Sequence, residues 1–300
     1  MTTTDITPLN GSAPLNGAAT VPGPATPYQG DIARYWDHEA RPVNLRLGDV
    51  DGLYHHHYGI GDVDHSALGE PGDSEREKKV IAELHRLESA QTGVLLDHLG
   101  DVTAGDTLVD AGCGRGGSMV MAHQRFGAKV EGVTLSAKQA DFGNRRAREL
   151  GIDDSVRARV CNMLATPFDT GSVRSSWNNE SSMYVDLHDL FAEHSRILSV
   201  GGRYVTITGC WNPIYGQPSK YVSQINAHFE CNIHSRREYL RAMADNRLVP
   251  AAVIDLTPAT LPYWELRATA SSLVTGIEEA FINSYRDGSF QYVLIAADRV

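Results

Sequence analysis

The chain is short of cysteine, of positive charge and of long apolar runs, and each shortage excludes a class of protein. Only four cysteines occur in 300 residues (Cys113, Cys161, Cys210 and Cys231), with no C-x-x-C pair and no disulfide-like spacing. That usage points to a reducing cytosol rather than a secreted, cross-linked scaffold. No apolar run reaches the roughly 18–20 residues of a membrane span. The N-terminus also lacks the charged start and apolar stretch of a signal peptide. Lys and Arg number 27 against 37 Asp and Glu. Nucleic acid and anionic membranes reward clustered positive charge, so neither is expected as the main partner. A small anion in a local pocket remains compatible with this balance.

What is present describes a globular α/β protein. At 42% hydrophobic, the chain can bury a sizeable core as one large domain or two modest ones. Residues 1–27 are mostly Thr, Pro, Gly, Ala and Asn with "PLNG" twice, a composition expected to stay disordered as a tail. From Asp31 "DIARYWDHEARPVN" reads as helical until Pro42, and "DGLYHHHYGIGD" as a loop rich in histidine and aromatics. A longer helix is expected from Ser74 to Leu99, with Gly100 as its stop. Strands ("DTLVDAG", "AKVEGVTL", "VRARVCN", "SVRSSWNN", "GGRYVTITG") then alternate with helices ("SMVMAHQRF", and "SAKQADFGNRRAREL" with Ser136 as N-cap). This rhythm predicts βαβ units in a doubly wound, mostly parallel, Rossmann-like sheet. Residues 28–100 would form an N-terminal helical lid region and 101–300 the main domain. Insertions near 210–234 and 257–288 would help cover a ligand at the strand ends. "SRREYL" restarts a helix with Ser235 and Glu238 at capping-box spacing.

The strongest motif is "LVDAGCGRGGSMV". Gly112, Gly114 and Gly117 match G-x-G-x-x-G formally, and Glu131 lies where a dinucleotide site would place its ribose acid. Asp110 argues against a pyrophosphate, which it would repel at the strand end. S-adenosylmethionine offers an ammonium for Asp110, a carboxylate for the loop N–H groups and a ribose one strand over. A nicotinamide oxidoreductase is therefore the weaker reading, and a ligand-free glycine turn the weakest.

"ESAQTGVLLDHLGDVTAGDTLVDAGCGRGG", "GAKVEGVTLSAKQ" and "HHHYGIGD" resemble the cyclopropane-fatty-acid-synthase and sterol-methyltransferase branch of class I methyltransferases. The resemblance implies that Thr134, Gln139 and Gln91 help hold S-adenosylmethionine. Glu131 is then either a ribose acid or an exposed strand residue. "VCNMLATPF" implies Asn162 and Met163 beside the adenine; an Asn satisfied by backbone is the plainer alternative. Members of this branch methylate alkenes through carbocations.

Such chemistry needs a group that stabilises a cation and then takes a proton. Glu180 in "SWNNESSMYVDL" suits both tasks, with Asn178, Asn179, Ser181 and Ser182 as its expected positioners; a helix N-terminal acid is the bland alternative. "SWNNESSMYVDL", "GCWNPIYGQPSKYVSQINAHFECNIHSRREYL" and "PYWELR" resemble the geranyl diphosphate 2-C-methyltransferases across nearly the whole chain after residue 28. That resemblance implies methyl transfer to C2 of geranyl diphosphate, a cation at C3 and loss of the C2 proton. The product would be 2-methylgeranyl diphosphate, precursor of 2-methylisoborneol. By the same resemblance Glu180 is base or cation stabiliser, Phe229 an aromatic wall, and Tyr58 and Asn44 candidates for the diphosphate end. Trp36, Tyr184, Trp211, Tyr215 and Tyr221 are further candidates for the aromatic lining. His55, His56 and His57 could neutralise the diphosphate, although a histidine cluster in a loop is more often surface. No D-D-x-x-D motif is present, so Mg2+ is expected to arrive with the diphosphate, with Asn44 as its candidate protein ligand. A methyltransferase for another alkene, lipid or small acceptor, and a SAM-binding regulator without catalysis, are the rivals. Oligomeric state stays open.

Overall fold

The computed structural model describes residues 23–38, 42–70 and 75–300. Most of the expected tail (residues 1–22) and the expected helix start at Ser74 lie outside the described residues. Seven strands form one sheet: β1 (Thr107–Ala111), β2 (Lys129–Thr134), β3 (Val156–Val160), β4 (Val173–Asn179), β5 (Leu198–Trp211), β6 (Leu248–Asp255) and β7 (Phe290–Arg299). Their order is β3-β2-β1-β4-β5-β7-β6. The first five run parallel, while β7 pairs antiparallel with both β5 and β6. The expected five strands are therefore present in the expected arrangement. The sequence reading gave β6 and β7 no strand. β6 begins "LVPAAVID", with a proline and an exposed outer face, so it shows little of the continuous apolar run that marks an interior strand.

Central strands are buried on both faces, which is why "LVDA" of β1 and "SSWNN" of β4 carry hardly any exposed side chain. A sheet covered on both sides needs helices, and the chain supplies them. The helix α3 (Arg76–Asp97) offers Val80, Leu84, Leu87, Gln91 and Leu95 as its buried stripe, at the 3–4 residue spacing of an amphipathic helix. The helices α4 (Gly117–Phe126) and α5 (Ala137–Glu149) pack beside β2 and β3. Ser136 caps α5, its hydroxyl accepting from the Gln139 amide, as the sequence led us to expect. The helix α6 (Leu187–Ile197) lies against α8 (Arg236–Asp245), which opens with the Ser235–Glu238 capping box.

Five helices remain among the described residues, and residues of three of them (the first, seventh and tenth) line a cleft at the carboxyl ends of the strands. The five are α1 (Pro27–His38), α2 (Pro42–Gly48), α7 (Lys220–Phe229), α9 (Thr257–Arg267) and α10 (Glu278–Arg286). The last two occupy the connection between β6 and β7, and α10 packs on both α7 and α9. The stretches that broke the strand–helix rhythm thus supply much of the cover over one end of the sheet.

Candidate active site

One cleft, with about 1150 Å³ of empty volume counted to its open mouth, lies beneath this cover. Its first half is built from the turns that follow β1, β2 and β3. The loop after β1 climbs through Gly112 and Gly114, both at positive φ (85° and 53°). These are left-handed conformations that glycine adopts freely. A Cβ on Gly112 would overlap the Ser181 side chain, and one on Gly117 would sit 2.7 Å from the Tyr54 carbonyl. The loop is therefore squeezed between the β4 turn and the histidine loop, and its glycines leave backbone facing the cleft. Thr134 at the end of β2 donates to Gln139 Oε1 at 2.9 Å, and both line the cleft. Ser136 donates to Asp37 at 2.7 Å, tying α1 to the same turn. Past β3, Asn162 and Met163 also line the cleft. Asn162 donates to Gln29 Oε1 at 2.9 Å and accepts from the Leu164 amide at 3.0 Å. Its bonds thus run to α1 as well as to local backbone.

Four of the expected ligand residues do not line the cleft. Asp110 is buried, does not line the cleft, and keeps Oδ1 without a hydrogen-bond partner. Burial pushes its carboxyl up to about 8. Gln91 also stays behind the lining: its amide donates to Asn179 Oδ1 at 2.7 Å and to the Tyr292 hydroxyl at 3.0 Å. Asn44 contacts His56 Nδ1 at 3.2 Å and does not line the cleft. Glu131 does not line the cleft, and it is not an exposed strand residue. It is buried, and Arg159 (2.7 Å) and Lys129 (3.0 Å) hold it by ion pairs. Among the described residues no group of three or more His, Cys, Asp or Glu could hold a metal ion.

The second half of the cleft is aromatic and centres on Glu180, the first residue after β4. Its φ of 50° is left-handed, a conformation that costs a non-glycine residue free energy and clusters at functional sites. The backbone amide bonds to the Ile207 carbonyl at 3.0 Å. One carboxylate oxygen accepts from the Tyr58 amide at 3.3 Å and from the Tyr292 hydroxyl in a short hydrogen bond. Burial pushes this carboxyl up to about 8, against the lowering by those two donors. The side chains of the expected positioners form no hydrogen bond to its carboxylate. Asn178 bonds to Ala111, Ser181, His194 and Tyr204; Asn179 pairs with Gln91; Ser181 bonds to Ala111; Ser182 bonds to Tyr239. They fix the turn, and through it the backbone of Glu180.

Phe229, at the end of α7, and Tyr58 both line the cleft, with ring centroids 6.5 Å apart. Tyr58 packs on Trp264 at 4.5 Å and Phe281 at 5.0 Å. Of the other aromatic candidates, Trp36 and Tyr184 reach the cleft, whereas Trp211, Tyr215 and Tyr221 do not. Sequence reasoning missed Phe281, Tyr285, Phe290 and Tyr292, all of which line it. Their signal was a run of aromatics on α10 and β7 that looks like ordinary core. His55 and His57 are buried rather than surface residues; only His56 lines the cleft, beside Arg115 of the glycine loop.

Residues 78–212 match the mycolic acid cyclopropane synthetase family model. The chain is 85% identical over 277 residues to the geranyl diphosphate 2-C-methyltransferase of Streptomyces lasalocidi, covering 92% of each chain. The chain belongs to the geranyl diphosphate 2-C-methyltransferase family. The Saccharopolyspora erythraea member of that family is 63% identical, over 92% of this chain and 96% of its own. A crystal structure of the family, that of geranyl diphosphate C-methyltransferase from Streptomyces coelicolor A3(2), superimposes with a TM-score of 0.92. It is 83% identical and covers 93% of this chain and 100% of its own. That crystal holds Mg2+, geranyl-S-thiolodiphosphate and S-adenosyl-L-homocysteine. The fold is therefore the Rossmann-like class I methyltransferase fold that the strand order suggested.

Proposed function

We propose that the chain methylates C2 of geranyl diphosphate, with S-adenosylmethionine as donor, to give 2-methylgeranyl diphosphate and S-adenosylhomocysteine. The observation that carries this reading is a single buried carboxylate, Glu180, facing an aromatic cleft that is continuous with the glycine loop. When bound, the cofactor supplies an electrophilic sulfonium methyl. The glycine loop, Thr134, Gln139, Asn162 and Met163, all at the cleft, would hold it, and Asp110, buried in β1 just before the loop, would favour its cationic end once ionised. The alkene's π electrons form the new C–C bond at C2, which leaves an electron-deficient C3. Phe229, Tyr58 and Phe281 present ring faces and edges, whose quadrupoles stabilise a cation without bonding to it. Glu180 then takes the C2 proton, and the C–H electrons close the new alkene. Because Glu180 is bonded to Tyr292 and to a backbone amide, its oxygen is oriented and less free to alkylate itself.

Mg2+ enters this scheme with the diphosphate. A chain with 37 acids against 27 bases favours a cation that travels with an anionic substrate, since His56, which lines the cleft, is held neutral by burial and by the neighbouring Arg115. The product fits the 2-methylisoborneol route implied by the resemblance. Among the described residues no helix is long and apolar enough to cross a membrane; we assign the enzyme to the cytosol on that and on its four unpaired cysteines.

The test is a mass-spectrometric product assay with geranyl, dimethylallyl and farnesyl diphosphates, with and without Mg2+. A product heavier by one methylene from geranyl diphosphate, dependent on Mg2+, is expected. Methylation of none of the three would overturn the acceptor assignment.

A further inference from the structure

We propose that Tyr292, backed by Gln91, is the positioning residue that aims Glu180 into the cleft and keeps it able to accept a proton. The proposal rests on Glu180 being the base. Three distant elements converge on one hydroxyl: Tyr292 on β7 donates to Glu180 and accepts from Gln91 on α3 at 3.0 Å. Gln91 is itself held by a reciprocal amide pair with Asn179 of β4, at 2.7 and 3.0 Å. Gln91 and Tyr292 are fully buried at 0% exposure, so neither amide nor hydroxyl can exchange these partners for bulk water. The Tyr292 backbone is pinned as well. Its amide donates to Thr257 Oγ1 at 2.9 Å and its carbonyl accepts from Leu256 at 2.7 Å, at the root of α9.

The surroundings of Glu180 make this donor matter. Among the described residues, Tyr292 is the one side chain hydrogen-bonded to it, the Tyr58 amide being the other donor. Burial and the Glu88 carboxylate on α3 disfavour its ionised form. Tyr285 on α10 and the Tyr58 hydroxyl face it as neutral groups, their own ionisation suppressed by burial and by Glu180. The cation on α9, Arg267, is paired with Glu278 at 3.3 Å. A neutral donor is thus what holds the charge. A hydrogen bond to the charged form favours that form, so removing it should delay ionisation to higher pH.

Tyr292→Phe keeps the ring and removes the hydroxyl. The ascending limb of the pH–kcat/KM profile should move up by about one unit, and kcat at neutral pH should fall roughly tenfold to a hundredfold, with KM for both substrates within about twofold. Gln91→Met should shift the limb the same way by less. An unmoved limb with unchanged kcat, or a loss expressed only in KM, would overturn the proposal. If circular dichroism shows Tyr292→Phe to be misfolded, 3-fluorotyrosine at 292 decides instead: its stronger donor should move the limb to lower pH, and an unmoved limb refutes us. Glu180→Gln run alongside separates the two levels. Retained turnover there would sink the reading of Glu180 itself, whereas a dead Glu180→Gln beside a parental Tyr292→Phe would sink only the positioning role.

Discussion

The two halves of the cleft are built on different principles. The cofactor half is local: it is made by turns between residues 110 and 163, each closing a strand that the alternating pattern already marks. Positive φ at Gly112 and Gly114 and the Ser136 cap on α5 are backbone demands, and backbone demands leave a residue type behind in the sequence. The acceptor half is assembled from afar. Tyr58, Glu180, Phe229, Phe281 and Tyr292 come from five separate segments, and each could equally be core. Chemistry carried by backbone is readable from a short motif; chemistry carried by side chains from many segments needs the fold.

The largest expected effect breaks the acceptor half alone. Glu180→Gln should lower turnover by on the order of 10³ or more, within the range that general-base removal costs, and leave cofactor affinity unchanged by titration calorimetry. Its pH behaviour sharpens the point. The native carboxyl holds its proton up to about 8 against an ordinary 4.5, so activity should climb with pH through the neutral range. The folded state also keeps a proton that the unfolded state has lost across this window. Stability therefore falls as pH rises from about 4.5 to 8, and Glu180→Gln should raise Tm more at pH 8 than at pH 5. A variant equally active, or a Tm gain that is the same at both pH values, would count against the buried carboxylate.

Gly112→Ala should break the cofactor half instead. The added methyl meets Ser181 and must sit at a φ of 85°, which costs about 1–3 kcal/mol. We expect cofactor affinity to fall at least about tenfold, while the aromatic half stays intact in circular dichroism. Loss of turnover with normal cofactor affinity would show that the loop is not the cofactor's seat.

Legibility followed the same division. The five parallel strands, the glycine loop, the Ser136 cap and the Ser235–Glu238 box were readable because each is a local pattern. β6 and β7 were not, since their pairing spans an insertion of two helices and β6 has a proline and an exposed face. At the site, Glu180 was readable as an acid among amides, yet its partners were misjudged. Asn178, Asn179, Ser181 and Ser182 are adjacent in sequence, but the left-handed turn at Glu180 points its carboxylate away from them toward Tyr58 and Tyr292. Gln91, expected on the cofactor, donates to Tyr292 and does not line the cleft; sequence proximity to a motif gives no side-chain direction.

A milder test compares ring with bulk. Phe229→Leu keeps an apolar wall and removes the quadrupole. At the ~0.5–2 kcal/mol of a cation–π contact, kcat should fall roughly threefold to thirtyfold with little change in KM. An equal loss of kcat and substrate affinity would mean that Phe229 only fills space.

The smallest effect belongs to Glu131, which sits where a dinucleotide site would carry its ribose acid. The Arg159 guanidinium and Lys129 hold its carboxyl below the usual carboxylate range despite burial, so its charge is already spent inside the protein. Both cations are themselves partly exposed, and removing the anion lets them turn to water. Glu131→Gln should therefore cost at most about 1 kcal/mol of stability and leave the KM for S-adenosylmethionine within about twofold. A tenfold rise in that KM would return Glu131 to the cofactor and move the ribose contact off Thr134 and Gln139. Invariance would leave Thr134 at the end of β2 and Gln139 in the first turn of α5, bonded to each other at 2.9 Å, as the groups that read the second strand's side of the cleft.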